Sequence, residues 1–138
     1  MTKSSMGSDL DDTEYYALKT FRASGVPVIT PIWLARDRGR WYGYTPSRSG
    51  KVSRIRRSGR VAVAPSNFFG DPCSDWVEGS ARILPAQHLR TAKRALTAKY
   101  GHRFRWFTIV TLIGRGRRRG GRPVGLEITL AGHDRPWQ

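Results

Sequence analysis

The sequence predicts an α+β domain built on an antiparallel barrel or sandwich. Three observations carry this expectation. The apolar runs are short and form six strand-like pieces, most connections between them have hairpin length, and helical periodicity interrupts them twice without the regular βαβ alternation of a doubly wound sheet. A chain of 138 residues has room for one core. The expected organisation is therefore a flexible acidic tail over residues 1–12 and a single domain over residues 13–138.

Taken in order, YYALKTF (Tyr15 to Phe21) has strand composition, and SGVP at 24–27 supplies a turn before a second apolar run, VITPIWLA (Val28 to Ala35). Pro31 has no N–H to give to a ladder, so its position should face an edge, a bulge or a ligand. After the turn RDRGR, WYGYT (Trp41 to Thr45) reads as a third strand, its aromatics suited to a half-buried pleated surface. KVSRIRR then places Val52 and Ile55 three apart, the spacing of one face of a short helix. RVAVAP (Arg60 to Pro65) is a continuous small-apolar run of the kind buried on both sides of a sheet.

Beyond the loop NFFGDPCSD, the segment WVEGSARIL alternates Val77, Gly79, Ala81 and Ile83 with Glu78, Ser80 and Arg82, a fifth strand. Pro85 and Ala86 open a helix that runs to Tyr100, with Leu89, Ala92 and Leu96 on one stripe and Gly101 as its stop. RWFTIVTLI (Arg105 to Ile113) reads equally as helix or strand. GRGRRRGGR at 114–122 reads as a loop, and VGLEITL (Val124 to Leu130) is a sixth strand with Val124, Leu126, Ile128 and Leu130 on one side.

Composition narrows the partners. Twenty-five Lys and Arg against ten Asp and Glu leave a formal charge of +15, which favours an anionic ligand, although a GC-rich coding sequence would also scatter Arg among Gly, Ala and Pro. Cys73 is the sole cysteine, so an internal disulfide and a multi-thiolate zinc site are excluded. The opening residues are polar and no run reaches the ~20 apolar residues of a membrane span, so a soluble, cytoplasmic protein is expected. His88, His102 and His133 lack metal spacing and carboxylate neighbours, so no triad and no metal centre is expected.

The segment YTPSRSGKVSRIRR is where an anion would be held. A phosphate site needs converging donors: backbone N–H groups at a helix start, hydroxyls, and one or two cations. Thr45 and Ser47 supply hydroxyls, Gly50 frees the backbone, and Lys51 begins a helix with Arg54 beside it. A solvated basic helix with an ordinary cap explains the same residues.

The order TFRASGVPVITPIW, WYGYT, GKVSRIRRSGRVAVAP, WVEGSARIL resembles the split-barrel flavin-binding superfamily that includes pyridoxamine 5'-phosphate oxidase, and within it the actinobacterial branch of F420 (deazaflavin) dependent oxidoreductases. The resemblance spans roughly Tyr15 to Leu130. It implies an antiparallel split β-barrel with a few peripheral helices, and a homodimer with cofactor at the interface. It also implies ring contacts from Thr30, Pro31, Ile32 and Trp33, a phosphate seat from Tyr44, Thr45, Ser47, Gly50, Lys51 and Arg54, and a flank to the ring from Pro65 and Ser66. Ser66 and Asn67 stand where many relatives carry a Cys-Asp pair, and Phe68 and Phe69 where an Arg often precedes the loop glycine.

Such an enzyme would move a hydride between F420 and a small organic substrate, the cofactor supplying the chemistry and the protein its binding and orientation. FMN is the alternative cofactor, and a carrier that binds a cofactor or tetrapyrrole without turnover is the non-catalytic alternative. Tyr44 and Tyr100 are both candidate proton donors. From another class, a nucleic-acid binder would use the 114–122 loop for charge and Trp106 and Phe107 for stacking. The long glutamyl tail of F420 could also meet Arg115 to Arg122.

Overall fold

The computed structural model describes residue 10, residues 13–101, residue 103 and residues 122–131. The Arg105 to Ile113 run, most of the 114–122 loop, His102 and His133 lie outside the described residues.

Seven strands and two α-helices follow one another as β1 (Tyr15–Phe21), β2 (Pro27–Ile32), β3 (Ala35–Asp37), β4 (Arg40–Pro46), α1 (Gly50–Arg57), β5 (Arg60–Ser66), β6 (Val77–Ile83), α2 (Leu89–Tyr100) and β7 (Pro123–Leu130), with a 3-10 turn at Ala86–His88. The strands form one sheet in the order β2-β1-β5-β6-β7-β4-β3, every neighbouring pair antiparallel. The run read as a single strand from Val28 to Ala35 is two strands, β2 and β3, at opposite ends of that order.

That division closes the fold. Only Trp33 and Leu34 separate β2 from β3, so the two edges of the sheet lie at most about 11 Å apart through the chain. Laid flat, seven strands would put those edges about 29 Å apart. The sheet therefore curls into a barrel, and the break occurs where the chain stops pairing with β1 and starts pairing with β4.

Alternation fills the barrel. Tyr16 and Leu18 of β1 point inward, opposite Ile32 and Thr30 of β2 and opposite Pro65 and Val63 of β5. Trp41 of β4 meets Ile128 of β7, which meets Ala81 of β6 on its other side. α1 buries Val52 and Ile55, Ile55 joining the barrel core, and each of these side chains contributes about 1.5–3 kcal/mol. Leu10, placed by sequence in a flexible tail, is fully buried in the same core, its carbonyl accepting from the Tyr16 hydroxyl at 2.5 Å.

α2 covers the outer side of the sheet. Ala92, Ala95, Leu96 and Tyr100 pack on Ala35 and Tyr42 in a second apolar cluster. Its last turn is tied to the β2–β3 joint, because the Tyr100 hydroxyl and Lys99 Nζ both reach the Leu34 carbonyl at 3.0 Å, and Lys99 also donates to the Tyr16 hydroxyl.

Candidate cofactor site

The segment that raised the anion question folds into the end of β4, a tight turn and the start of α1. The turn is closed by Ser49 N–H donating to the Pro46 carbonyl at 3.1 Å, and Ser47 N–H is held by the Arg122 carbonyl at 2.8 Å just before β7. Thr45 is buried and points inward, and its hydroxyl lies 3.3 Å from that of Ser49. Ser49 is the N-cap of α1, yet its side chain makes no capping hydrogen bond, and no acidic residue stands in the first turn. Among the described residues the N–H groups of Gly50 and Lys51 make no hydrogen bond. A helix start in this condition carries partial positive charge and open donors.

Cations are added to it rather than anions. Lys51 is half-buried, and burial, with a smaller contribution from Arg54, lowers its ammonium from the ordinary lysine value. Arg54 donates through Nε to the Thr20 hydroxyl at 2.6 Å, and its guanidinium folds back over the helix start. A Cβ at Gly50 would stand 2.7 Å from Arg54 Nη1, so glycine is what lets the guanidinium lie there. Burial, then Arg22 and Arg57, lower Arg54 from its ordinary value. Among the described residues no carboxylate forms an ion pair with Lys51, Arg54, Arg22 or Arg57.

The remaining candidates distribute along β1. Thr30 faces inward one rung from the Thr20 that holds Arg54, since Thr20 pairs with Val28 and Leu18 with Thr30. Its hydroxyl oxygen is buried with no hydrogen-bond partner, a polar atom inside the wall of the barrel that lacks its usual acceptor or donor. Pro31 is exposed on the edge strand, where its missing N–H costs nothing, and packs against the positive-φ Gly70 of the loop after β5. Ile32 is a buried member of the barrel core. Trp33 stacks on Tyr100 with ring centroids 4.6 Å apart, and Pro65 and Ser66 lie at the Tyr15–Tyr16 end of β1. The Ser66 hydroxyl donates to the Asn67 carbonyl at 3.0 Å.

Two groups therefore emerge. Arg54 and the Gly50 it overlies reach the Thr20 rung, one rung from Thr30, with Thr45 linked to the start of α1 through Ser49. Pro65 and Ser66 instead pair with Tyr16 and Tyr15, and Trp33 follows Ile32, the other partner of Tyr16, four strand residues or about 13 Å along β1. Tyr44 belongs to neither. Adjacent strand residues face opposite ways, so while Thr45 points inward Tyr44 lies against α2, with Lys93 Nζ 5.9 Å from its ring. Burial raises the Tyr44 phenol and keeps it protonated. Tyr100, the other candidate donor, has its hydroxyl committed to the Glu14 and Leu34 carbonyls.

Thr20 and Arg22 were missed by sequence reasoning, whereas Arg57 closes the basic segment already read as a place for an anion. A signal existed for Thr20: it continues the inward series Tyr16, Leu18 as a polar residue in an apolar position. Nothing local marks Arg22, whose relation to Arg54 arises across the sheet. His88 and Cys73 are both exposed, and the described residues hold no cluster of metal-ligating side chains. No helix among them is long and apolar enough to cross a membrane.

No family model matches the chain, and no curated protein does. Solved structures do. A conserved hypothetical protein, Rv2991 from Mycobacterium tuberculosis, is similar with a TM-score of 0.63 at 19% identity, covering 94% of this chain and 81% of the other. An FAD-binding protein from Mesorhizobium loti gives 0.61 at 15%, with 94% and 88% covered. An F420 reductase gives 0.58 at 17%, with 94% and 95% covered. At these identities the likeness is one of fold, and that fold is the split barrel.

Proposed function

We propose that this chain is an oxidoreductase of the split-barrel type that binds a phosphate-bearing flavin-class cofactor, F420, and moves a hydride between it and a small organic substrate. The observation that carries the reading is the concentration of positive charge at the start of α1, where open N–H groups, a half-buried Lys51 and a folded-back Arg54 stand together with no carboxylate paired to them among the described residues. Those residues suit a phosphate, which accepts from N–H, hydroxyl and cationic donors together. The roughly 13 Å along β1 between the two residue groups is comparable in length to a fused ring with its polyol chain.

Bound there, the cofactor would supply the hydride chemistry itself. The chain's part is to hold the phosphate with Lys51 and Arg54 and to keep water from the inner wall around Thr30. Trp33 is kept in place by its stack on Tyr100 and by the hold of Tyr100 and Lys99 on Leu34. A fluorescence titration with F420 and with FMN tests this. Submicromolar to micromolar quenching by F420 is expected, weakened about 10- to 100-fold in Lys51→Ala by loss of a charge-assisted hydrogen bond. Tighter binding of FMN would move the assignment to that cofactor, and binding of single-stranded nucleic acid with a steep salt dependence indifferent to Lys51 would replace it.

The same proposal includes a homodimer. Ile29, Phe68 and Phe69 are 47%, 68% and 78% exposed, and they lie with Pro31 and Tyr15 around β2 and the loop after β5. Exposed aromatics gathered in this way mark an association surface. Sedimentation should show a dimer that Phe69→Asp converts to monomer.

A further inference from the structure

We propose that one end of the barrel is a docking surface for an anionic lipid membrane, with Arg56, Arg90, Lys93, Arg94 and Arg122 meeting the headgroups and Val26 entering the interface. This goes beyond the cofactor reading and does not depend on it.

Neighbouring strands are antiparallel, so the connections of the chain fall at alternate ends of the barrel. At one end lie the β1–β2 turn, both approaches to α1, the approach to α2 and the entry into β7. At the other lie the entry into β1, the β3–β4 turn and the loop from β5 to β6. The charges are sorted between them. Of the described carboxylates, Glu14, Asp37, Asp71 and Asp75 stand at the second end and Glu78 and Glu127 within strands, whereas the first end has none. Residues 38–70 and 79–126, which include both approaches to α1, the approach to α2 and the entry into β7, contain no Asp or Glu.

The cations of the first end come from elements that the fold brings together. A Cβ at Gly125 would stand 3.1 Å from Ala92 Cβ, so the entry into β7, with the exposed Arg122, lies beside the first turns of α2. Those turns carry Arg90, Lys93 and Arg94 on exposed positions, and Arg56 is exposed on α1 next to the buried Ile55. Among the described residues none of these five forms an ion pair with a carboxylate. Val26 is 52% exposed on the β1–β2 turn, where its carbonyl accepts from Arg22 N–H at 2.9 Å.

A solvated basic face does not account for the sorting. A GC-rich coding sequence scatters Arg, but it does not draw acids away from one end. Nor does α2 profit, since Arg90 stands in its first turn against the dipole and repels Lys93 and Arg94 at i+3 and i+4. Lipid also fits better than nucleic acid. Val26 gains from entering an interface and gains nothing from a phosphodiester backbone, and the exposed phenyl rings that could stack on bases, Phe68 and Phe69, lie in the loop at the other end. The apolar stripe of α2 is spent against the sheet, so attachment is electrostatic and reversible.

The test is co-sedimentation of the full chain, without cofactor, at about 0.15 M salt, with vesicles of phosphatidylcholine alone and of phosphatidylcholine and phosphatidylglycerol in equal parts. The parent should bind only the second kind, and should be released at about 1 M salt. Each cation near an anionic leaflet strengthens binding about fivefold, so Arg90→Gln/Arg94→Gln should bind about 25-fold more weakly and Arg122→Gln about fivefold. Lys19→Gln/Arg38→Asn, an equal loss of charge outside this end, should match the parent, and Val26→Ser should weaken binding about threefold. Equal losses in Arg90→Gln/Arg94→Gln and Lys19→Gln/Arg38→Asn overturn the proposal, as does equal binding to both kinds of vesicle or binding to neither. Tighter binding of a single-stranded DNA oligonucleotide than of the anionic vesicles, lost in the same variants, overturns the lipid assignment. Should Arg90→Gln/Arg94→Gln unfold, Arg122→Gln carries the test.

Discussion

Arg54 and Arg82 are the same side chain under opposite regimes. Arg82 on β6 donates through Nε to Glu127 Oε1 at 2.8 Å, and the other oxygen of Glu127 accepts from the Tyr42 hydroxyl at 3.1 Å, so three strands are tied by a closed row of donors and acceptors. There the carboxylate is held below its ordinary range, its burial outweighed by the bonds from Arg82 and Tyr42, and burial together with Glu127 pushes the Tyr42 phenol up to about 12. Arg54 has a hydroxyl for a partner, two more guanidiniums as neighbours and no carboxylate among the described residues. One arrangement is complete as folded. The other has no carboxylate among the described residues, and it is there that the proposed phosphate would supply the negative charge.

Removing both cations of the incomplete site should produce the largest effect. Lys51→Ala/Arg54→Ala should lower cofactor affinity more than about 100-fold, while melting shifts little, because mutual repulsion is relieved as the Thr20 bond is lost. A large drop in melting temperature with unchanged affinity would show that the cluster is structural after all. Next, Gly50→Ala should push the Arg54 guanidinium away from the helix start and cost about tenfold in affinity, with stability held or slightly improved by the better helix former.

At the complete site the expectations invert. Glu127→Gln should cost about 1 kcal/mol in stability, modest because the Arg82 side chain is largely exposed, and should leave cofactor affinity unchanged. The pH dependence follows from the direction of the shift. A carboxylate whose folded value lies below its unfolded one contributes stability above the unfolded value of about 4.5, and loses it as pH falls through the folded value. Melting temperature should therefore drop on acidification below about pH 4.5, and the drop should be smaller in Glu127→Gln.

Much of the barrel was legible from local pattern. The alternation in Val77 to Ile83 and Val124 to Leu130 places each side chain where the structure has it, and Val52 and Ile55 do bury one face of α1. The division of Val28 to Ala35 was not legible, because it depends on which partner strand each half meets and not on the residues themselves. Leu10 was read by the polarity of its neighbours, whereas a single apolar residue suffices to fill a gap in the core. For the site, hydroxyls, glycine and Lys51 were all readable at the start of α1. Tyr44 and Thr45 face opposite sides of β4, as period-two alternation requires, and the Thr20–Arg54 contact spans a sequence distance that no local pattern encodes.

The rim of the barrel has a consequence for handling the protein. β2 carries Pro27 and Pro31, and β3 is only three residues long, so neither offers a row of open backbone groups on which another chain could build a strand. Strand addition at this rim is disfavoured by the backbone itself. A second copy meeting this rim would have to engage it through side chains and not through backbone pairing.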